Sequence, residues 1–239
     1  MAQNIEANIF SQIHLSGEVS CEEFKPNRFK KNICVNCSND VLKHSKDSVN
    51  ESVLLEALEY TQAMEKIPSL ILEGKGGLGS VYLGGYKGVI NLEFLQCNNI
   101  THILNTAKGL EVTLGTKFVE LVKKVNKNLS IVTKETNWVD DPSFKIELSS
   151  LKEAVLFIEE ARANSGNVLV HCAQGRSRSS TAVIAYIMCK NNMKSEEATT
   201  FVKKKRMMAS PNPGFEKILS TFYQSPEFNE ASEKLKTCN

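Results

Sequence analysis

The segment Val168-Leu169-Val170-His171-Cys172-Ala173-Gln174-Gly175-Arg176-Ser177-Arg178-Ser179-Ser180 sets a short apolar run against a loop of glycine, arginine and serine, with one cysteine at the junction. The apolar run is β-branched-rich, as a buried central strand requires, and Ser179–Asn191 has the apolar spacing of a buried helix. The loop therefore joins the carboxyl end of a strand to the amino end of a helix. In open α/β sheets ligands bind at that place, where unpaired N–H groups and the positive end of a helix dipole face an anion. Gly175 lets the backbone curl so that successive N–H groups converge, and the planar fork of Arg178 can grip two phosphate oxygens. The loop Ala173, Gln174, Gly175, Arg176, Ser177 and Arg178 is thus expected to cradle a phosphate monoester. The same field is expected to favour the Cys172 thiolate, placed for in-line attack on phosphorus. A lone cysteine after a strand is ordinarily buried filler. What raises this one is the pattern H-C-x-x-G-x-x-R, four residue types at set spacing, each with its own mechanical task. His171 is expected to orient the loop and tune the thiolate by hydrogen bonding, because an already ionised nucleophile needs no base.

Outward from this unit, strands are predicted at Ser69–Leu72, Val81–Leu83, Thr101–Asn105, Trp138–Val139 and Asn167–His171. Helices are predicted at Gly88–Cys97, Leu114–Val125, Ser149–Ala163, Ser179–Asn191, Ser195–Lys205 and Pro213–Tyr223. Such alternation predicts an α/β fold with a central, mostly parallel sheet flanked by helices. An amphipathic helix over Glu51–Lys66, followed by Pro68, links this region to a polar, irregular start, so a boundary is placed near Ser48–Ser52. The expected organisation is a polar segment over 1–50, a linking helix over 51–66, a catalytic domain over 67–225 and a tail over 226–239.

A chain of 239 residues, 41% hydrophobic and 23% charged, suffices for one globular domain and an appendage. Its formal net charge of +2 gives no reason to expect nucleic acid as a partner. Seven irregularly spaced cysteines, without a basic start and apolar run at the N-terminus, point to free thiols or metal ligands in a reducing compartment, cytoplasmic and also nuclear. No apolar run approaches the roughly 18 residues of a membrane span.

The early segment contains Cys21, Cys34, Cys37 and His44 as C-x12-C-x2-C-x6-H. Three thiolates and one imidazole complete a tetrahedral zinc shell, with Cys34 and Cys37 as its knuckle. The apolar residues of the segment are mainly Phe24, Phe29, Ile33 and Val35, too few to fold it without a structural metal. Cys97, Cys189 and Cys238 read as core or tail thiols, and the Ser-Pro pairs at Ser210 and Ser225 as candidate regulatory positions.

The stretch from Val168 through Ala185-Tyr186-Ile187-Met188 resembles the signature of cysteine-based protein tyrosine phosphatases, in particular the dual-specificity branch. Val81-Tyr82-Leu83-Gly84-Gly85-Tyr86, Ile100-Thr101-His102-Ile103-Leu104-Asn105 and Ser210-Pro211-Asn212-Pro213-Gly214-Phe215 carry the resemblance over about Ile67–Gln224. It implies a phosphocysteine at Cys172, oxygen binding by Arg178, a proton from Ser179 to the departing thiolate, and a brace at Asn212. The family's chemistry also needs a carboxylic acid on a separate loop. Asp140 in Trp138-Val139-Asp140-Asp141-Pro142 fits the family register, with Ile146 following it, and Asp141 is the alternative. Two departures stand out: a long stretch over Thr106–Asn137, expected at the active-site rim, and Lys204-Lys205-Arg206-Met207-Met208 where Arg-Pro is common, expected to alter the approach to Asn212. The implied function is hydrolysis of phosphotyrosine and of phosphoserine or phosphothreonine, with no cofactor in the chemistry. A phosphoinositide, phosphoglucan or RNA-end phosphatase and a phosphoprotein-binding adaptor are the alternatives. Expected partners are a phosphoprotein, including a protein kinase, and a cytoskeletal protein through the early segment, which also resembles a module of Outspread-type proteins.

Overall fold

The computed structural model describes residues 17–28, 33–50, 52–54, 56–57, 66–107, 109–110 and 114–237. The chain divides into two compact units, Met1–Met64 and Glu65–Asn239.

The second unit is built on a five-stranded sheet. Its strands are β1 (Ser69–Leu72), β2 (Val81–Gly85), β3 (Ile100–Asn105), β4 (Val132–Glu135) and β5 (Asn167–Cys172), in the spatial order β1-β2-β5-β3-β4. β1 pairs antiparallel with β2, and every other pair is parallel. The strand that carries Cys172 is therefore central. Its residues alternate between two cores as period-2 geometry demands: Val168 and Val170 face one, Leu169 the other. Leu104 and Ile103 of β3 divide in the same way.

The described helices of this unit are α1 (Tyr86–Val89), α2 (Leu92–Cys97), α3 (Thr116–Leu129), α4 (Leu148–Ala163), α5 (Arg178–Asn191), α6 (Ser195–Lys205), α7 (Pro213–Tyr223) and α8 (Pro226–Thr237). α5 is buried without a break from Ser179 to Cys189, which is why its sequence is apolar all round rather than striped. The charged groups inside this core are paired: Glu159 of α4 accepts from Tyr186 and Lys190 of α5, and Arg162 donates to the Gly79 carbonyl and the Tyr186 hydroxyl.

Several sequence expectations need correction. Gly88–Cys97 is two short helices, parted at Asn91, whose side chain caps the second by accepting from the Phe94 N–H. Trp138–Val139 is not a strand; the fifth strand is Val132–Glu135, which pairs with β3 alone and so sits at the sheet edge. The 226–239 stretch is not a tail, because Phe228, Ala231 and Leu235 of α8 pack into the main core; Cys238 lies outside the described residues. Cys97 is exposed, whereas Cys189 is a core thiol whose burial pushes it up to about 12. Ser225 is buried, its hydroxyl accepting from the Phe228 N–H at the start of α8.

The first unit is small. Phe24, Cys34, Val41, Val49, Leu54 and Ala57 form its core, so the boundary placed near Ser48–Ser52 lies too early. Residues 52–54, 56–57 and 66 of the predicted linking helix are helical, and the rest of that prediction, with Phe29, lies outside the described residues.

Candidate active site

β5 ends at Cys172 and α5 begins at Arg178, so the six residues 173–178 wrap around the sulfur. The orientation of this loop follows from its carbonyls, each bonded away from the site. Ala173 O accepts from the Tyr86 N–H at 3.1 Å, Gln174 O from Arg206 Nη2 at 3.2 Å and Gly175 O from Arg206 Nε at 2.9 Å. Arg176 O accepts from the Ser210 N–H at 2.7 Å and Ser177 O from Thr181 at 2.9 Å. A peptide whose carbonyl points out presents its N–H inward, which makes the concave anion nest that the sequence suggests. Gly175 has φ +73°, and a Cβ there would lie 2.5 Å from the Gly84 carbonyl carbon, so only glycine fits. Its N–H donates to Cys172 Sγ at 3.2 Å, and Ser179 Oγ donates to the same sulfur at 3.2 Å. Cys172 itself is 2% exposed.

Arg178 follows in the first turn of α5. Its Nη1 donates to the Trp138 carbonyl at 3.4 Å, and its Nε lies 3.7 Å from Asp140 Oδ2. That Nε is buried and makes no hydrogen bond among the described residues. A buried guanidinium N–H with no acceptor is costly, and an oxygen of a bound oxyanion is the group that satisfies it.

Asp140 Oδ1 accepts from Asn212 Nδ2 at 3.0 Å. Its loop is pressed onto the start of α7, since a Cβ on Gly214 would lie 2.0 Å from the Pro142 carbonyl oxygen. Asn212 does three things: its side chain caps α7 through the Phe215 N–H, holds Asp140, and its own N–H donates to Ser177 Oγ at 3.2 Å. Asp141 is engaged differently. The hydroxyl and the N–H of Ser143 both donate to it, at 2.6 and 2.7 Å, and hold its carboxyl below the usual carboxylate range.

His171 is buried, and burial pushes its imidazole down to about 4, a fall that its bond to the Cys172 carbonyl opposes and the Arg178 charge assists. Its Nδ1 meets that carbonyl at 3.3 Å and not the sulfur, so it touches the backbone of the loop rather than tuning the thiolate directly.

The structure thus brings Cys172, the 173–178 loop, Arg178, Ser179, Asn212 and Asp140 together. The residue that sequence reasoning missed is Arg206. It is fully buried, and besides the two loop carbonyls it donates to Ser69 Oγ and the Ile67 carbonyl. Its local signal in the sequence is an arginine followed by Met207 where the family commonly has Arg-Pro. The expected disturbance near Asn212 does not arise, because Arg206 keeps its hold on the loop while Met207 occupies the next position.

A profile for the dual specificity phosphatase catalytic domain matches residues 81–225. The chain belongs to this family. Dual-specificity phosphatase relatives include dual specificity protein phosphatase 1 of Arabidopsis thaliana, 34% identical over 185 residues that cover 77% of this chain and 83% of the plant protein. Protein phosphatase Slingshot homolog 3 of Rattus norvegicus is 33% identical over 76% of this chain, but the match covers only 24% of that longer protein. The crystal structure of DUSP15 superposes with a TM-score of 0.57 at 28% identity, covering 71% of this chain and 95% of that one. As a dual-specificity phosphatase, the chain is a protein phosphatase acting on phosphotyrosine and on phosphoserine or phosphothreonine.

In the first unit, Cys21, Cys34, Cys37 and His44 converge, their ligand atoms all within 4.8 Å of one another. None of the groups described around Cys172 comes from that unit.

Proposed function

We propose that turnover proceeds through a phosphocysteine on Cys172. Its sulfur forms a bond to phosphorus as the ester oxygen leaves, and Asp140 gives that oxygen a proton. Water then surrenders a proton to the same carboxylate and attacks phosphorus, the S–P bond breaks, and inorganic phosphate and the thiolate are released. Loop N–H groups and Arg178 carry the charge on the equatorial oxygens, and Ser179 supports the departing sulfur with its O–H. The observation that carries this reading is the convergence on one sulfur of the Gly175 N–H and the Ser179 O–H, beside a buried Arg178 Nε that makes no hydrogen bond among the described residues.

Asp140, not Asp141, is assigned as the acid. Its carboxylate lies 3.7 Å from Arg178 Nε, beside the phosphate-binding loop, whereas Asp141 is turned onto the N–H and hydroxyl of Ser143 in its own turn. Tyr86, Leu110 and Leu114 pack in one cluster with Cys172 and Ala173. We assign them the apolar wall for the substrate's side chain, through which the long segment before α3 bears on substrate choice. A protein kinase as substrate, a cytoskeletal partner for residues 21–44, and a cytoplasmic and nuclear setting belong to the same proposal. The kinase is one phosphoprotein of the class the family's chemistry takes, the cytoskeletal partner follows the resemblance of residues 21–44, and the setting follows the free thiols.

The test is hydrolysis of two phosphoesters, one with a good aryl leaving group and one phosphoserine peptide, with metal chelator present throughout. Cys172→Ser is expected to abolish turnover of both. Asp140→Asn is expected to cost about 100-fold or more on the poorer leaving group and much less on the aryl ester; Asp141→Asn leaves both nearly unchanged. Turnover that survives Cys172→Ser overturns the mechanism, and a wild type that binds phosphopeptide without hydrolysing it makes the chain an adaptor.

A further inference from the structure

We propose that Cys21, Cys34, Cys37 and His44 hold one zinc ion in a closed shell of three sulfurs and one nitrogen, and that this ion, rather than an apolar core, folds the first unit. The site is separate from the phosphatase chemistry, and the argument for it is geometric. A tetrahedral ion with Zn–S of about 2.3 Å and Zn–N of about 2.0 Å sets its donors about 3.8 Å apart for sulfur pairs and about 3.5 Å for a sulfur and a nitrogen. Cys21 Sγ and Cys34 Sγ are 3.9 Å apart, and Cys37 Sγ and His44 Nε2 are 3.3 Å apart. All four donor atoms fall within 4.8 Å of one another. Four donors that converge this closely enclose a space the size of one ion.

The surroundings fit a ligand shell as well. His44 is fully buried, and its Nδ1 lies 2.9 Å from the Asp40 carbonyl. Nδ1 must carry the proton to make that bond, which leaves the Nε2 lone pair beside Cys37 Sγ within the cluster, as an outer-shell acceptor does for a metal-bound imidazole. Cys34 and Cys37 lie on one tight turn, closed by the Ser38 N–H on the Cys34 carbonyl at 2.9 Å with Ser38 at φ +59°. The Lys25 N–H donates to Cys34 Sγ at 3.5 Å, a contact that stabilises a thiolate. Among the described residues of this unit, strand pairing is confined to the isolated bridges Pro26–Cys34 and Ile33–Asp40. Among the described residues the buried apolar cluster holds six side chains, of which Cys34 is one, a small core of the kind that a metal staples in domains of this size. Sulfur-rich donors select zinc over calcium or magnesium, and the shell has no open position for catalysis. Each thiol releases its proton to solvent as the ion binds, so folding and metal uptake are one step.

The experiment uses the full chain, purified reduced, with metal content measured by mass spectrometry and the ion exchanged for cobalt. One zinc per chain is expected, with the visible absorption of tetrahedral cobalt–thiolate coordination after exchange. Chelation should open residues 17–57 to protease, and Cys37→Ser should lose the bound equivalent. Three results overturn the proposal: no uptake of zinc or cobalt by reduced wild type, a Cys21–Cys34 disulfide that persists under reductant, or one tightly held zinc in both Cys37→Ser and His44→Ala. The wild-type cobalt spectrum decides the matter even where a variant fails to fold.

Discussion

Arg206 takes a full charge to a fully buried position, where its guanidinium meets the carbonyls of Gln174, Gly175 and Ile67 and the hydroxyl of Ser69. A planar fork can serve two adjacent loop carbonyls while holding β1; an ammonium is a point donor and cannot. Arg206 is thus a positioning residue, which sets the inward direction of the loop N–H groups without touching substrate. Arg206→Lys is expected to lower kcat/KM on an aryl phosphate about 100-fold and to weaken inhibition by inorganic phosphate. Unchanged phosphate inhibition in a folded variant would show that Arg206 serves stability alone. His171 yields a second prediction, in stability. Its imidazole titrates near 6.5 in the unfolded chain and at about 4 in the fold, because burial disfavours its charge. Between those values the unfolded chain binds more protons, so stability is full above pH 6.5 and is lost as pH falls toward 4, by about 3 kcal/mol at most. Urea unfolding over that window should be steeper in pH for wild type than for His171→Asn; equal slopes would remove His171 from the account.

At the scale of elements, α8 closes the second unit. Phe228 is 4% exposed and packs edge-on to Phe222 at 5.7 Å and beside Tyr223 at 5.0 Å. Phe228→Ala is expected to cost about 3–5 kcal/mol in denaturant unfolding, with turnover per folded molecule unchanged because no group at Cys172 comes from α8. A loss below about 1 kcal/mol would mean that α8 is dispensable. The sequence hid this helix because Pro226–Thr237 is mostly polar and shows its few apolar residues singly. It hid β4 for a related reason: Val132-Thr133-Lys134-Glu135 bonds to one neighbour and exposes Val132, so no apolar run marks it. Trp138 misled in the opposite sense. Its buried ring, bonded to Ser150 Oγ at 3.0 Å, reads as strand although the backbone has left the sheet. The central elements were legible because burial on all sides writes itself into composition, as in β5 and α5. The loop residues around Cys172 were legible because their chemistry demands fixed types at fixed spacing. Arg206 was not, since a buried charge whose partners are main-chain carbonyls from distant segments leaves no local pattern.

Across the whole molecule the formal net charge is only +2, so no broad field draws in an acidic substrate. Anion selection rests on local groups: the loop N–H groups, the first turn of α5 and Arg178. All of these lie in the unit after Glu65, whereas the four converging sulfur and nitrogen donors lie in the unit before it. The two chemistries also differ in kind. One needs a free thiolate that attacks phosphorus; the other needs thiolates that stay bound. This partition predicts how the full chain responds to a strong chelator. Residues 17–57 should lose protease resistance, while kcat/KM on an aryl phosphate holds steady, because proton transfer by Asp140 and charge stabilisation by Arg178 need no metal. Zinc added back should restore resistance and leave turnover where it was. If turnover instead falls and returns with zinc, the metal unit governs the catalytic one, and the assignment of all transition-state stabilisation to the loop and Arg178 fails.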